Sequence, residues 1–161
     1  MDYINKFDTK YVMWCHDINN KNWDLSSYNE MYIIDDVSSF WRVFNNISKF
    51  DFHNRHFYLM KEGITPMWED INNKNGGVCS FRTLLSDSLE LFENLSVHMI
   101  CDLLSNDPDD ITGVIFSPKN SWAIVKIWNR DSNKDLTKMI NKDILDKYSK
   151  LSIQYKSHEL S

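Results

Sequence analysis

Residues 111–128 read ITGVIFSPKNSWAIVKIW, and this stretch decides the fold class. Two runs rich in β-branched and aromatic residues flank Pro118 and Asn120, which is the pattern of two strands around a turn. Working outward, similar short runs recur: YVMWCHDI at 11–18, MYIID at 31–35, HFYLMK at 56–61, VCSFRTLL at 78–85 and LSIQYKS at 151–157. Three helical stripes separate them. The first follows the cap candidates Asp35 and Asp36, with Val37, Phe40, Trp41, Phe44 and Ile47 at helical spacing. The second runs from about Ser86 to Leu104, with Leu89, Phe92, Leu95, Met99, Ile100 and Leu103 on one stripe. The third carries Leu136, Met139, Ile140, Ile144 and Tyr148. Strands come in pairs between isolated helices, so the expected class is α+β: an antiparallel sheet with helices on one face and the other face open.

Composition narrows the function. A chain of 161 residues with neither repeat nor linker is one domain, 1–161, able to bury its own core. It is 42% hydrophobic and 25% charged, with a net charge of -5, which argues against broad attraction to a nucleic-acid backbone and leaves room for a local basic pocket. Cys15, Cys79 and Cys101 are widely spaced and form no C-x-x-C pair, which excludes a disulfide framework and leaves no metal site to expect. The start, MDYINKFDTK, does not read as a signal peptide, and no apolar run approaches a membrane span. A reducing, cytoplasmic setting is expected. His16, His53, His56, His98 and His158 are scattered, and no nucleophile elbow, phosphate-cradling loop or metal-binding pair appears. The chain is not expected to be an enzyme or to carry a cofactor.

Aromatics make up 14% of the chain, with six tryptophans, and two of these stand in polar loops. Trp68 and its neighbours Glu69 and Asp70 lie in GITPMWEDINNKNGGV, residues 63–78, which opens on Gly63 and Pro66 and closes on Asn, Lys and Gly. Trp23 lies in NNKNWDLSS, residues 19–27. Either alone reads as a lid over the core. As a pair they read as a slot for a flat ring. A carboxylate at the slot edge suits guanine, which offers N1–H and N2–H₂ as adjacent donors. If the base is methylated at N7, its positive charge adds a cation–π contribution of roughly 1–2 kcal/mol between the indoles.

These stretches resemble the cap-binding translation initiation factor 4E family, over nearly the whole chain. KEGITPMWEDINNKNGG is similar to the family segment with the second stacking tryptophan and the guanine-reading glutamate. YVMWCHDINNKNW is similar to its first strand and first stacking tryptophan, and SSFWRVFNNI to the helix with the partner-binding tryptophan. VKIW and IQYKSH match later family strands. The resemblance implies a curved sheet backed by three α-helices on its convex face, with the cap in the concave face and a helical peptide on the dorsal helices. It assigns base stacking to Trp23 and Trp68, guanine recognition to Glu69 and the N7-methyl contact to Trp128. Val37, Trp41 and Val97 become dorsal partner contacts, with His98 where the family has an acid.

Departures from the family pattern concern the phosphates and the partner. Val78-Cys79 stands where Arg-Trp is usual, and Ile124 occupies a basic position, while Lys119 keeps its place. FDTK replaces a His-Pro-Leu partner motif, and the long C-terminal loop after YKSH is missing. Alternation along WAIVKIW puts Lys126 on the face of Trp128, so Lys119 and Lys126, with Arg82 as a third candidate, are expected to hold the phosphates. The resemblance implies a monomer that binds capped messenger RNA and recruits, through an amphipathic helix, a scaffold of the initiation factor 4G type or a repressor. Divergence and an Asn/Lys-rich composition suggest a viral or parasite source. Two alternatives stay open: an interaction module of the same fold without cap binding, and a general single-stranded RNA binder.

Overall fold

The structure, a computed structural model, describes residues 6–160. Residues 1–5, the start of the segment read for a leader, and residue 161 lie outside it. Seven strands form one curved antiparallel sheet: β1 (Lys6–Asp17), β2 (Asn29–Asp36), β3 (Arg55–Lys61), β4 (Gly77–Leu84), β5 (Ile111–Lys119), β6 (Trp122–Asn129) and β7 (Ser152–Ser157), in the order β2-β1-β3-β5-β6-β4-β7. Each strand-like run in the sequence is a strand. The 111–128 stretch is a β5–β6 hairpin in which Lys119 faces Trp122. Its turn lies at Asn120, whose φ of 60° is the left-handed conformation asparagine tolerates, while Pro118 belongs to β5.

Strand alternation sorts the side chains. One face carries Met13, Phe57, Leu59, Phe81, Val114, Phe116, Val125 and Ile127, all sealed under the helices. The other carries Tyr58, Met60, Val78, Ile115 and Trp128, a smaller cluster with no α-helix packed over it among the described residues, joined by Trp14 and Tyr28. That second face is where a ligand has access.

Helix α1 (Val37–Phe44) begins at a capping box: Asp36 accepts from the Ser39 backbone N–H at 2.7 Å and Ser39 Oγ lies 3.2 Å from the Asp36 N–H. It buries Phe40, Val43 and Phe44, and Ile47 falls in a separate 3₁₀ turn. Helix α2 (Leu85–Ile100) buries Leu91, Phe92, Leu95 and Met99, and ends before Leu103, which is exposed. The expected third helix is two short ones, α3 (Leu136–Met139) and α4 (Lys142–Lys147). The break has a tertiary cause. Ile140 pairs with Ser105 in an isolated β-bridge, and Asn141 turns its side chain to accept from Asp143 N–H at 2.9 Å, capping α4. The sheet is therefore backed by four α-helices rather than three.

Candidate functional site

The loop carrying Trp68 is polar in sequence but tightly bonded. Asp70 accepts from the Thr65 N–H at 2.9 Å, Thr65 Oγ1 at 2.7 Å, the Asn72 N–H at 2.8 Å and Asn72 Nδ2 at 2.9 Å. Burial pushes the Asp70 carboxyl up, and the hydrogen bonds from Asn72 and Thr65 outweigh it, so the group titrates below the usual carboxylate range. Fully buried Asn73 donates to Met67 O at 2.9 Å. The loop closes on Gly76, where a Cβ would stand 1.7 Å from Asn129 O; only glycine admits that approach. Asn129, also fully buried, accepts from the Gly77 N–H at 2.9 Å and the Tyr155 hydroxyl at 2.7 Å, and donates to Asp110 Oδ2 at 2.9 Å. Arg130 Nη1 donates to Asn72 Oδ1 at 2.6 Å. The Trp68 loop is thus clamped to the end of β6, directly after Trp128. Asp70 and the Gly76–Gly77 pair serve this scaffold, and Glu69 is left exposed at the rim.

A cleft of about 450 Å³ opens on the helix-free face and brings together Trp23, Trp68, Glu69, Trp128, Lys119 and Lys126. Tyr28, His56 and Tyr58 complete its floor. Trp23 and Trp68 are each nearly half exposed, at 48% and 46%, whereas Trp128 is only 9% exposed. Trp23 has a backing that sequence reading missed. The ring of buried His16 lies parallel to it, 4.0 Å between centroids and 8° between planes. His16 Nε2 is 2.8 Å from Asn22 O; a carbonyl only accepts, so Nε2 carries the proton. One indole face is thereby occupied and the other is left for a ligand. His16 shares a strand face with Trp14, so alternation was the available signal. His158, one of the scattered histidines, is buried at the other side, 5.0 Å from the Trp128 ring and 6.4 Å from Trp68.

The cleft floor is electropositive. Lys126 stands between Ile115 on β5 and Ser80 on β4. Burial, then repulsion by Lys119, lowers its ammonium to about 8. Burial, then Lys126 and Lys119, lowers His56 to about 4, and burial with Lys126 lowers His158 to about 4. Both imidazoles are neutral at pH 7, so the two lysines are the cations of the cleft. Their mutual repulsion makes an anion between them favourable.

Arg82 stands apart from the base cleft. It lines an adjoining cleft of about 540 Å³ with Val78, Ser80, Ile124 and Lys126, and its guanidinium lies 4.9 Å over the Trp122 ring. Val78, Ser80 and Arg82 do share a face, as alternation required.

On the helix side, Val37 and Trp41 stand one turn apart on α1 and are 44% and 38% exposed, Trp41 packing edge-on to Phe40 at 5.0 Å. On α2, Val97 packs partly against the core, and half-buried His98 donates from Nδ1 to Asn94 O at 2.8 Å. A shallow groove between the C-terminal end of α1 and the first half of α2 is lined by Phe44, Leu89, Glu90 and Glu93. Its acids were not singled out in the sequence, where they look like an ordinary solvated helix face. Among the described residues, no group of three or more His, Cys, Asp or Glu side chains is placed to hold a metal, no helix is long and apolar enough to cross a membrane, and the three cysteines are free.

The family model described as Eukaryotic initiation factor 4E matches residues 6–161. The chain belongs to the initiation factor 4E family. Within it, the chain is 29% identical over 136 residues to the wheat (Triticum aestivum) protein "Eukaryotic translation initiation factor NCBP", a match covering 78% of this chain and 56% of that one. The chain thus spans about half the length of that relative. Solved 4E structures share the fold. An Ascaris suum eIF4E-3 in complex with m7G cap superposes with a TM-score of 0.79 at 24% identity, covering 96% of this chain and 91% of that chain. A Caenorhabditis elegans eIF4E-3 in complex with the 4E-binding protein Mextli and cap analog does so at 0.79 and 21%, covering 96% and 93%.

Proposed function

We propose that this 4E-family protein binds the 7-methylguanosine cap of messenger RNA, in the cytoplasm and without chemistry on it, and offers its dorsal helices to a scaffold or repressor of translation. The observation that carries the reading is the convergence of Trp23, Trp68, Glu69 and Trp128 on one cleft from three separate parts of the chain. The free indole faces of Trp23 and Trp68 stack the methylated base from either side, a cation–π arrangement. Glu69 accepts from guanine N1–H and N2–H₂. Trp128 meets the N7 methyl. Lys119 and Lys126 take the phosphates, in place of cations at Val78 and Ile124. The cap complexes of the two worm relatives support the reading, as does the Mextli complex for a protein partner.

On the dorsal side, exposed Val37 and Trp41 suit the apolar face of a partner helix. Glu90 and Glu93 suit basic residues flanking it.

The test is retention on immobilised 7-methylguanosine nucleotide. Elution by the methylated nucleotide but not by guanosine nucleotide supports the reading. Elution by both would indicate a general single-stranded nucleic-acid binder. Failure of the folded protein to bind would leave an interaction module.

A further inference from the structure

The base cleft does not end at Lys126. Lys126, Trp68 and Trp128 also line the second cleft, whose far wall is Arg82 and Ser152. Those two residues in turn line a third, of about 360 Å³, with Leu84, Asp87, Trp122 and Lys150. The three clefts make one furrow along the open face of the sheet that ends beside the first turn of α2, running along β6 from Trp128 to Trp122, a distance of about 20 Å at the usual rise of about 3.3 Å per residue.

The far end is not built like ordinary surface. Trp122 is 41% exposed, directly opposite Leu84, itself 48% exposed. The Arg82 guanidinium covers part of its ring at 4.9 Å. Lys126, Arg82, Lys156 and Lys150 line the furrow in a protein whose net charge is -5. Cations tracking a groove that ends on an aromatic platform are the arrangement that binds single-stranded nucleic acid: cations follow the phosphates, and a base stacks on indole or on a guanidinium plane. Asp87 at the rim can accept from a base amino group.

We propose that the Arg82–Trp122 pair is a second nucleotide station, which stacks a base of the RNA body downstream of the cap while Lys126, Lys156 and Lys150 follow the backbone towards it. The inference rests on the cap reading of the first cleft. The span from Trp128 to Trp122 is that of an extended triphosphate bridge and the nucleosides following it. The furrow also explains Arg82. It lies beyond the base cleft because it serves, over the Trp122 ring, a nucleotide beyond the cap.

Calorimetric titration of the parent and of Trp122→Ala with 7-methylguanosine triphosphate and with a 7-methylguanosine-capped tetraribonucleotide tests it. The parent should bind the capped oligonucleotide about ten-fold more tightly than the nucleotide, the contribution of one stacked base. Trp122→Ala should lose that gain and keep its affinity for the nucleotide, while Trp122→Tyr, which retains a stacking ring, should keep most of it. Equal parental affinities for the two ligands, or a length gain that survives in Trp122→Ala, would overturn the inference and leave the Trp122–Leu84 patch to some other partner. If the parent binds neither ligand, the cap reading fails and this station with it.

Discussion

Lys126→Met should make the protein more stable and a poorer cap binder, and both effects follow from where the ammonium sits. An unfolded lysine titrates near 10.5, whereas Lys126 titrates at about 8 in the fold, lowered by burial and by Lys119. The difference of about 2.5 units corresponds to ~3 kcal/mol at about 1.36 kcal/mol per unit. The half-buried side chain reaches water at one end, so methionine, of similar reach, should recover about 1–2 kcal/mol at pH 7, a rise of roughly 2–8 °C in Tm. The sign is fixed by linkage. Between pH 8 and 10.5 the unfolded chain holds more protons at this site than the folded one, so parental stability from this group rises with pH across that window. Lys126→Met should lose that rise. A bound triphosphate reverses the situation by raising the Lys126 pKa. Parental cap affinity should therefore be greatest below about pH 8 and fall above it, by at most ten-fold per pH unit. Removing the charge-assisted contacts should cost roughly 1.5–3 kcal/mol for 7-methylguanosine triphosphate, and far less for the bare nucleoside. Thermal unfolding and calorimetry across pH 6–10 read all of this. A variant that is less stable at pH 7, yet binds the triphosphate as tightly as the parent, would refute the reasoning.

The other expectations are simpler. Trp23→Ala and Trp68→Ala should each cost roughly 1–3 kcal/mol of cap affinity by calorimetry. Glu69→Ala should cost more than Glu69→Gln, since glutamine still accepts one guanine donor. Gly76→Ala places a methyl 1.7 Å from Asn129 O and should destabilise the fold by about 3 kcal/mol in urea, loosening the Trp68 loop with it. Trp41→Ala should weaken capture of a basic amphipathic partner helix by about 2 kcal/mol while cap affinity stays at the parental value.

Much of this architecture could be read directly from the residues. The strands were legible because each is a short run rich in β-branched and aromatic residues, and alternation along β6 separates Trp122, Ile124, Lys126 and Trp128 from Val125 and Ile127 without any structure. The α3–α4 break was not legible, because the apolar stripe runs on through it and only the pairing of Ile140 with distant Ser105 interrupts the helix. In the site, tryptophans in polar loops were conspicuous. Their supports were not. His16 has the strand parity of Trp14, but its stacking on Trp23 depends on how the 18–28 loop returns, and His158 reaches Trp128 only when the chain comes back after β7, which no local pattern records. Arg82 has the strand parity of a cleft residue, yet it lies farther along β4, opposite Ile124, with its guanidinium over Trp122 on the neighbouring strand, a cross-strand contact invisible in either strand alone.

The central claim is that the cleft distinguishes a methylated, positively charged guanine from a neutral one. Tryptophan fluorescence titration with 7-methylguanosine triphosphate and guanosine triphosphate at equal ionic strength measures this directly, since Trp23 and Trp68 would flank the base. Strong quenching and about ten-fold tighter binding of the methylated nucleotide are expected, the value of a desolvated cation–π contact of about 1–2 kcal/mol. Equal affinities for the two nucleotides, or binding without quenching, would contradict the claim.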